Sequence, residues 1–158
     1  MLSDRKKRKN INWIIIAFIY LILLIIPPVI NGTSEENQLT GTREEIVNDA
    51  LSFSGSNERN FDCSGFTRHI YKMHGLSLPV TANGQYTETP VILPVDKAGE
   101  GDLIFFRINS DRISHVGIYL GNSRFIHSPG KYKVIRIDSL DGYWKNKLAG
   151  FRTFFPDE

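Results

Sequence analysis

The hydrophobic pattern divides the chain into an apolar N-terminal stretch and a longer region of mixed helices and strands. Residues 11–30 are apolar apart from Asn12 and are broken only by Pro27-Pro28. Counted to residue 30, the stretch has the ~20 residues that a membrane-spanning helix needs. It follows the basic run Arg5-Lys6-Lys7-Arg8-Lys9, and basic residues favour the cytoplasmic side of a membrane. We therefore predict a single-pass anchor that places the remaining chain on the extracytoplasmic side.

The N-terminal pattern also fits a cleaved signal peptide, which would release the protein to the periplasm or cell wall. We favour the uncleaved anchor because no small-x-small cleavage site follows the apolar run. The predicted organisation is then a basic cytoplasmic tail (1–10), a transmembrane signal-anchor (11–30), a polar linker (31–41) and one compact domain (42–158).

Two helices are predicted at the start of this domain. The first begins at the capping box formed by Thr42 and Glu45, and apolar residues follow it at helical spacing. The second begins at Cys63, where Asp62 is a good N-cap and Gly75 a good C-terminal stop. Its apolar face is predicted from the steps of three and four residues between Cys63, Phe66, Ile70 and Met73.

The second half of the domain shows the pattern of β-strands. Residues 78–94 are irregular, with one predicted helical turn near Gln85. Short apolar or alternating runs then predict strands at 103–106, 115–120, 124–128, 133–138 and 149–155. Helices followed by an antiparallel meander, closed by the last strand, indicate an α+β domain.

Charge and cysteine content exclude several function classes. The formal net charge is +2, but five of the 19 basic residues lie in the N-terminal run, which leaves 14 against the 16 acidic residues beyond Asp4. A domain without a basic surface has little electrostatic reason to bind nucleic acid. The single cysteine excludes an internal disulfide, and we predict no metal or other cofactor.

The single cysteine is also the best candidate for chemistry. A thiol on the first turn of a helix lies at the positive end of the helix dipole, which is expected to lower its pKa. His115 and His127, on the predicted hairpin, are the candidate bases. His69 and His74 lie on the cysteine helix itself and are predicted to be structural or exposed. The alternative for Cys63 is the common one, a buried thiol that only packs.

Four successive motifs strengthen the catalytic interpretation. They are Asp62-Cys63-Ser64-Gly65-Phe66, Gly101-Asp102-Leu103-Ile104-Phe105-Phe106, His115-Val116-Gly117-Ile118-Tyr119-Leu120-Gly121 and Phe125-Ile126-His127. Over residues 42–155, this series resembles the NlpC/P60 family of papain-like cysteine peptidases, which cut peptides of bacterial cell walls.

The resemblance implies a role for each matched residue. Cys63 would be the nucleophile, His115 the base and His127 the residue that orients the base. Asp62 and Ser64 would help to hold the substrate peptide, although helix capping explains them equally well. The implied partner is a peptidoglycan peptide, and we expect a monomer.

One feature of the family is missing. Members usually carry a tyrosine shortly before the cysteine, whose hydroxyl is thought to help the oxyanion, but this chain has Leu51-Ser52-Phe53-Ser54-Gly55 in that region. Either another donor substitutes for it, with Ser52 and Ser54 as candidates, or activity is weakened. The competing functions are therefore a peptidoglycan endopeptidase, a wall-binding module with weak or no turnover, and a Cys-His acyltransferase of related fold.

The length of the hairpin loop determines whether the two histidines lie on the same face of the sheet. A two-residue turn at Gly121-Asn122 would put His115 and His127 on opposite faces of the sheet. A three-residue connection at 120–122 would pair them on one face, as would a bulge, and Asn122 tolerates the left-handed conformation that such a loop needs. We predict an odd-length connection or a bulge, with both histidines adjacent and facing the helix that begins at Cys63.

Overall fold

The computed structural model describes residues 34–57, 59–109, 111–130 and 133–155. The predicted tail and membrane segment at 1–30 lie outside these ranges. Within them, no helix combines the length and the hydrophobicity that crossing a membrane requires.

Three helices precede the strands: α1 (Ser34–Ser52), α2 (Cys63–Met73) and α3 (Ala82–Glu88). Helix α1 begins at Ser34, before the predicted start at Thr42, so that helix boundary is wrong, whereas the assignment of residues 31–41 as a linker stays a prediction. Helix α3 confirms the turn predicted near Gln85.

Helix α2 has the predicted ends. The Asp62 carboxylate accepts the backbone N–H of Gly65 at 2.7 Å, and Gly75 adopts the left-handed conformation with φ of 76° just after the helix. Phe66 and Ile70 are fully buried, as the helical spacing predicts. Met73 is 53% exposed, so the predicted apolar face ends one turn early.

A six-stranded antiparallel sheet follows, with the order β1-β6-β2-β3-β4-β5. Its strands are β1 (Val91–Leu93), β2 (Leu103–Phe106), β3 (His115–Tyr119), β4 (Arg124–His127), β5 (Arg136–Ser139) and β6 (Leu148–Thr153). Short 3₁₀ turns occur at Val95–Lys97 and Lys145–Lys147. The α+β prediction is confirmed, but β6 does not close an edge: it lies between β2 and the unpredicted strand β1.

The predicted strand at 133–138 begins later than expected. Ile135 is buried, but its backbone N–H donates to Ser56 and its carbonyl accepts from Gly55. These bonds tie residue 135 to the loop after α1, so pairing with β4 starts only at Arg136. Ile137, which alternation places on the same face of the strand as Ile135, is 38% exposed.

The two faces of the sheet carry two hydrophobic clusters. The first cluster joins the helices to one face and includes Phe66, Ile70, Phe105, Val116 and Ile118. The second cluster covers the opposite face and consists of Ile104, Phe106, Phe125, Trp144 and Phe151. Cys63 packs against the first cluster, which fixes the N-terminus of α2 against the sheet.

Candidate active site

The β3–β4 hairpin brings the two candidate histidines together. Tyr119 pairs with Phe125, and the Leu120 N–H donates to the Arg124 carbonyl, which leaves Gly121, Asn122 and Ser123 as a three-residue loop. All three loop residues have positive φ, between 49° and 71°. The predicted odd-length connection is confirmed, although the loop lies one residue later than expected.

In this register, the His115 ring on β3 and the His127 ring on β4 lie diagonally across from each other. Continuing the pairing of Ile118 with Ile126 by one position places Gly117 opposite His127. His115 lies two residues before Gly117 and therefore on the same face. His115 Nε2 and His127 Nδ1 are 2.7 Å apart, and the rings meet edge to face with centroids 4.8 Å apart. The predicted adjacency is confirmed.

The rings lie against residues of the second cluster rather than against the body of helix α2, so the prediction that they face this helix is wrong except at its N-terminus, where Cys63 meets β3. His115 stacks on Trp144 at 5.2 Å between centroids, and His127 contacts Phe125 at 4.9 Å, so both lie on the face of the second cluster. The reason is the alternation of side chains along β3. Val116 points into the first cluster against α2, which turns its neighbour His115 to the other side.

Cys63 reaches the start of β3 through the end of its helix. The backbone N–H of Val116, the residue after His115, interacts with the Cys63 thiol, as do the N–H groups of Ser64 and Cys63 itself. The N-terminus of α2 and the first residues of β3 therefore meet at the sulfur.

Burial controls the protonation of both groups. It raises the pKa of the Cys63 thiol, against the opposing effect of the three backbone N–H groups. The predicted lowering of this pKa by the helix terminus is therefore wrong, because the cost of burying a thiolate exceeds the benefit of the helix N-terminus. Burial, and then the neighbouring His127, lower the pKa of His115 to about 3. The resting site consists of a neutral thiol and a neutral imidazole.

Two residues that no sequence motif marks complete the histidine pair. His127 Nε2 lies 3.0 Å from Asp138 Oδ2, and Trp144 Nε1 donates to the same oxygen at 2.9 Å. Asp138 is on β5 and pairs with Phe125, so only the pairing of β4 with β5 brings it beside His127. A strand assignment alone could place Asp138 on β5 but could not show its register against β4.

The predicted substrate-binding residues flank Cys63 but make structural contacts. Ser64 is buried, and its hydroxyl donates to the Val80 carbonyl at 2.9 Å. Asp62 is half-buried and uses Oδ1 for the cap of α2. Their predicted contact with substrate stays a prediction.

The residues near the missing tyrosine are also placed. The Ser52 hydroxyl donates to the Asp49 carbonyl at 2.6 Å within its own helix, and Ser54 is exposed. Phe53 packs edge-on against Phe61 and carries no hydroxyl. The hydrogen bond of Ser52 argues against its substituting for the tyrosine.

The other two histidines have packing roles. His74 Nε2 lies 2.9 Å from Asp49 Oδ2 and links α2 to α1, while the His69 ring packs against Phe53 and Phe61. This confirms the prediction that they are structural. Across the described ranges, no group of three or more His, Cys, Asp or Glu side chains is arranged to hold a metal ion.

Comparison with known proteins agrees with this arrangement. The sequence profile of the NlpC/P60 family matches residues 49–153. This chain belongs to the NlpC/P60 family. A Listeria innocua relative, "Probable endopeptidase p60", is 38% identical over 114 residues, which cover 72% of this chain and 24% of the relative. The γ-D-glutamyl-L-lysine dipeptidyl-peptidase of Bacillus subtilis is 33% identical over 131 residues, covering 77% and 44%.

Solved structures of the family show the same fold. An NlpC/P60 family protein from Bacillus cereus superposes with a TM-score of 0.65 at 31% identity, covering 72% of this chain and 40% of that one. The chain spans less than half the length of the two curated relatives described above. The shared part is the NlpC/P60 domain that contains Cys63, His115 and His127.

Proposed function

We propose that this NlpC/P60 domain is a cysteine endopeptidase that hydrolyses amide bonds in peptidoglycan stem peptides. The observation that carries the proposal is the buried His115–His127 pair, 2.7 Å apart, at the point where the Cys63 helix meets β3. The relatives, a probable endopeptidase and a γ-D-glutamyl-L-lysine dipeptidyl-peptidase, support peptide hydrolysis as the reaction class.

The proposed reaction begins with proton transfer from Cys63 to His115. His115 uses Nε2 for His127, which leaves Nδ1 for the thiol. As the sulfur attacks the scissile carbonyl carbon, the thiol proton moves to His115. The C–N bond then breaks, the leaving amine takes that proton, and a thioester remains. Water attacks the thioester, and the carboxylic acid product leaves as the thiol is restored.

Burial gives this order of events a physical basis. A preformed thiolate and imidazolium would both be costly in this site, since burial acts against the charged form of each. Transfer of the proton during attack keeps the pair net neutral. The first N–H groups of α2 have no partner in the helical ladder, so those of Cys63 and Ser64 are available to the oxyanion that forms.

We also propose that Asp62 rather than Ser64 contacts the substrate peptide. The Ser64 hydroxyl is turned inward to Val80, whereas Asp62 is half-buried and carries a negative charge beside the nucleophile. A carboxylate in this position suits a free amino group on the peptide. Replacement of Asp62 by Asn removes the charge and keeps a side chain that can cap α2.

For the whole chain, we propose that residues 11–30 anchor the domain outside the cytoplasmic membrane. The support is the apolar stretch and the preceding basic run. Fractionation with external protease tests this topology. We expect a membrane-bound chain whose domain is accessible to protease. A soluble domain about 30 residues shorter would instead indicate a cleaved signal peptide.

The test of activity is the mass of the products formed from purified muropeptides. Hydrolysis gives two fragments whose masses sum to that of the substrate plus one water, and the fragment masses identify the bond. Unchanged substrate that stays bound to the protein would favour the wall-binding module, which the absent tyrosine makes the second candidate. A product that has gained an acyl group without water would favour an acyltransferase.

A further inference from the structure

We propose that Asp138 is a positioning residue that fixes the tautomer of His127 and, through it, the tautomer of His115. The geometry points to a chain of hydrogen bonds from Asp138 Oδ2 to His127 and from His127 to His115. The hydrogen-bond chain stands on the structure alone, whereas its effect on catalysis rests on the proposed function.

The first step concerns the Asp138 carboxylate. Its Oδ2 lies 2.9 Å from Trp144 Nε1, 2.9 Å from Arg136 Nη2 and 3.0 Å from His127 Nε2. The indole and the guanidinium are donors only, so this oxygen is an acceptor. Although partial burial opposes it, the hydrogen bonds from His127, Trp144 and Arg136 lower the pKa of Asp138. Asp138 is therefore ionised and has no proton to donate.

The second step passes the constraint to His127. An ionised carboxylate only accepts, so His127 Nε2 must carry the proton that it shares with Asp138. His127 is fully buried, and its burial lowers its pKa, so the ring is neutral and carries one proton. Its Nδ1 is consequently an acceptor.

The third step assigns His115. Because His127 Nδ1 accepts, the 2.7 Å hydrogen bond between the rings must be donated by His115 Nε2. The neutral His115 ring then has a bare Nδ1, which is the nitrogen that a general base presents to a thiol. Without Asp138, His127 could adopt the opposite tautomer, and His115 would then present an N–H where an acceptor is needed.

Trp144 also restricts the orientation of the His115 ring by direct contact. It stacks on the His115 ring at 5.2 Å with 25° between the planes while its Nε1 donates to Asp138. One carboxylate oxygen thus holds both the partner of the base and the aromatic wall beside the base. This explains how a residue with no assigned contact to the thiol can control the orientation of the base.

The direct test is the ¹⁵N NMR spectrum of the histidine rings at neutral pH in the wild-type domain, Asp138→Ala and Asp141→Ala. Asp141 is the matched control because it is exposed and its carboxylate accepts from the nearby Ser139 hydroxyl, to which its own backbone N–H donates, so it has no contact with either histidine among the described residues. We expect wild type and Asp141→Ala to show the proton of His127 on Nε2 and its Nδ1 bare. In Asp138→Ala we expect the His127 signals to shift toward the opposite tautomer. A His127 proton on Nδ1 in wild type would overturn the proposal.

The kinetic test uses the same variants with purified muropeptides. We expect Asp138→Ala to lower kcat about 10- to 100-fold, the range observed when the partner that orients a metal-bound histidine is removed. The KM should change much less, because the proposed role of Asp138 runs through its hydrogen bond to His127 and not through the substrate. Asp138→Asn keeps an acceptor oxygen for the three donors, so it should retain the His127 tautomer and recover much of kcat.

The two proposals fail in different ways. If wild type does not hydrolyse muropeptides but the His127 proton is on Nε2, the proposed function fails and the assignment of the tautomer stands. If wild type hydrolyses them and Asp138→Ala matches Asp141→Ala in both spectrum and kcat, the role of Asp138 is refuted alone. Should Asp138→Ala not fold, the wild-type spectrum still tests the tautomer, and Asp138→Leu replaces Asp138→Ala as the variant that lacks an acceptor.

Discussion

The protonation of His115 sets the acid limit expected for catalysis. Burial and His127 lower its pKa to about 3 from the usual 6.5, so the base stays neutral well into the acid range. The acid limb of a kcat/KM profile reports the pKa of the free enzyme's base. We expect this limb to lie well below pH 6.5; a limb centred near 6.5 would show that His115 titrates as an exposed imidazole does.

The same lowered pKa of His115 predicts that the folded domain loses stability in acid. Stability must therefore be measured alongside the pH–rate profile, as its control. A depressed histidine pKa means that the unfolded chain binds more protons than the folded one between pH 6.5 and about 3. The contribution of His115 is therefore complete above pH 6.5 and is lost as the pH falls through this window. The free energy of unfolding, measured by denaturant titration at several pH values, should fall across this range, and less steeply in His115→Leu.

At the residue scale, the sequence predicts what is local and misses what depends on strand register. Cys63, His115 and His127 lie in motifs, and the odd-length hairpin follows from the demand that two rings share a face. Asp138 carries no such mark, because its place beside His127 comes from the pairing of β4 with β5. The position of Cys63 at a helix N-terminus predicts a lowered pKa, which is wrong because the burial that raises this pKa depends on the whole fold.

At the element scale, Asp62 has a cap role that can be separated from a substrate role. Asp62→Ala removes the acceptor for the Gly65 N–H and should cost about 0.5–2 kcal/mol of stability. Asp62→Asn can still cap α2 and should leave the free energy of unfolding nearly unchanged. If Asp62 also binds the peptide's amino group, Asp62→Asn will lower kcat/KM while stability is kept. Equal kcat/KM in Asp62→Asn and wild type would leave capping as its role.

The contact between β3 and β4 depends on Gly117. A Cβ at this position would lie 2.8 Å from the Ile126 carbonyl oxygen and 3.2 Å from the His127 Cβ. Gly117→Ala must therefore push the strands apart where His127 is held, at a cost of about 1–3 kcal/mol, and should also lower kcat. Arg124→Ala is the control, since Arg124 is exposed on the same hairpin and its removal should change stability by less than about 0.5 kcal/mol. Wild-type activity in Gly117→Ala would show that the hairpin tolerates displacement.

The local sequence predicts most helices and strands, and it predicts their ends where a capping residue is clear. The start of α2 at Cys63 and its end before Gly75 were both predicted from caps. The start of α1 does not follow in this way, because the sequence offers a capping box at Thr42 and Glu45 whereas the helix already begins at Ser34. Strand β1 is three residues long and exists through its pairing with β6, which no local pattern reveals.

At the scale of the whole molecule, Arg43 ties α1 to the sheet. Its guanidinium donates to Asp102 Oδ1 at 2.8 Å and to Thr153 Oγ1 at 3.1 Å, and the Asp102 side chain is fully buried. Removing one partner of a buried ion pair strands the other charge, so Arg43→Met should cost about 3–5 kcal/mol. Arg68→Met, on an exposed position of α2, is the matched control and should be nearly neutral. A cost for Arg43→Met no greater than for Arg68→Met would show that α1 is held by apolar packing alone.

The central claim is that the Cys63 sulfur performs the bond cleavage, and the most direct measurement is the initial rate of muropeptide hydrolysis by Cys63→Ala. His74→Ala serves as the control, because His74 lies at the far end of the same helix and contacts Asp49. We expect His74→Ala to retain hydrolysis and Cys63→Ala to lose at least about 10³-fold, as enzymes do when their nucleophile is removed. A folded Cys63→Ala domain that cuts muropeptides at a rate near that of wild type would contradict the account.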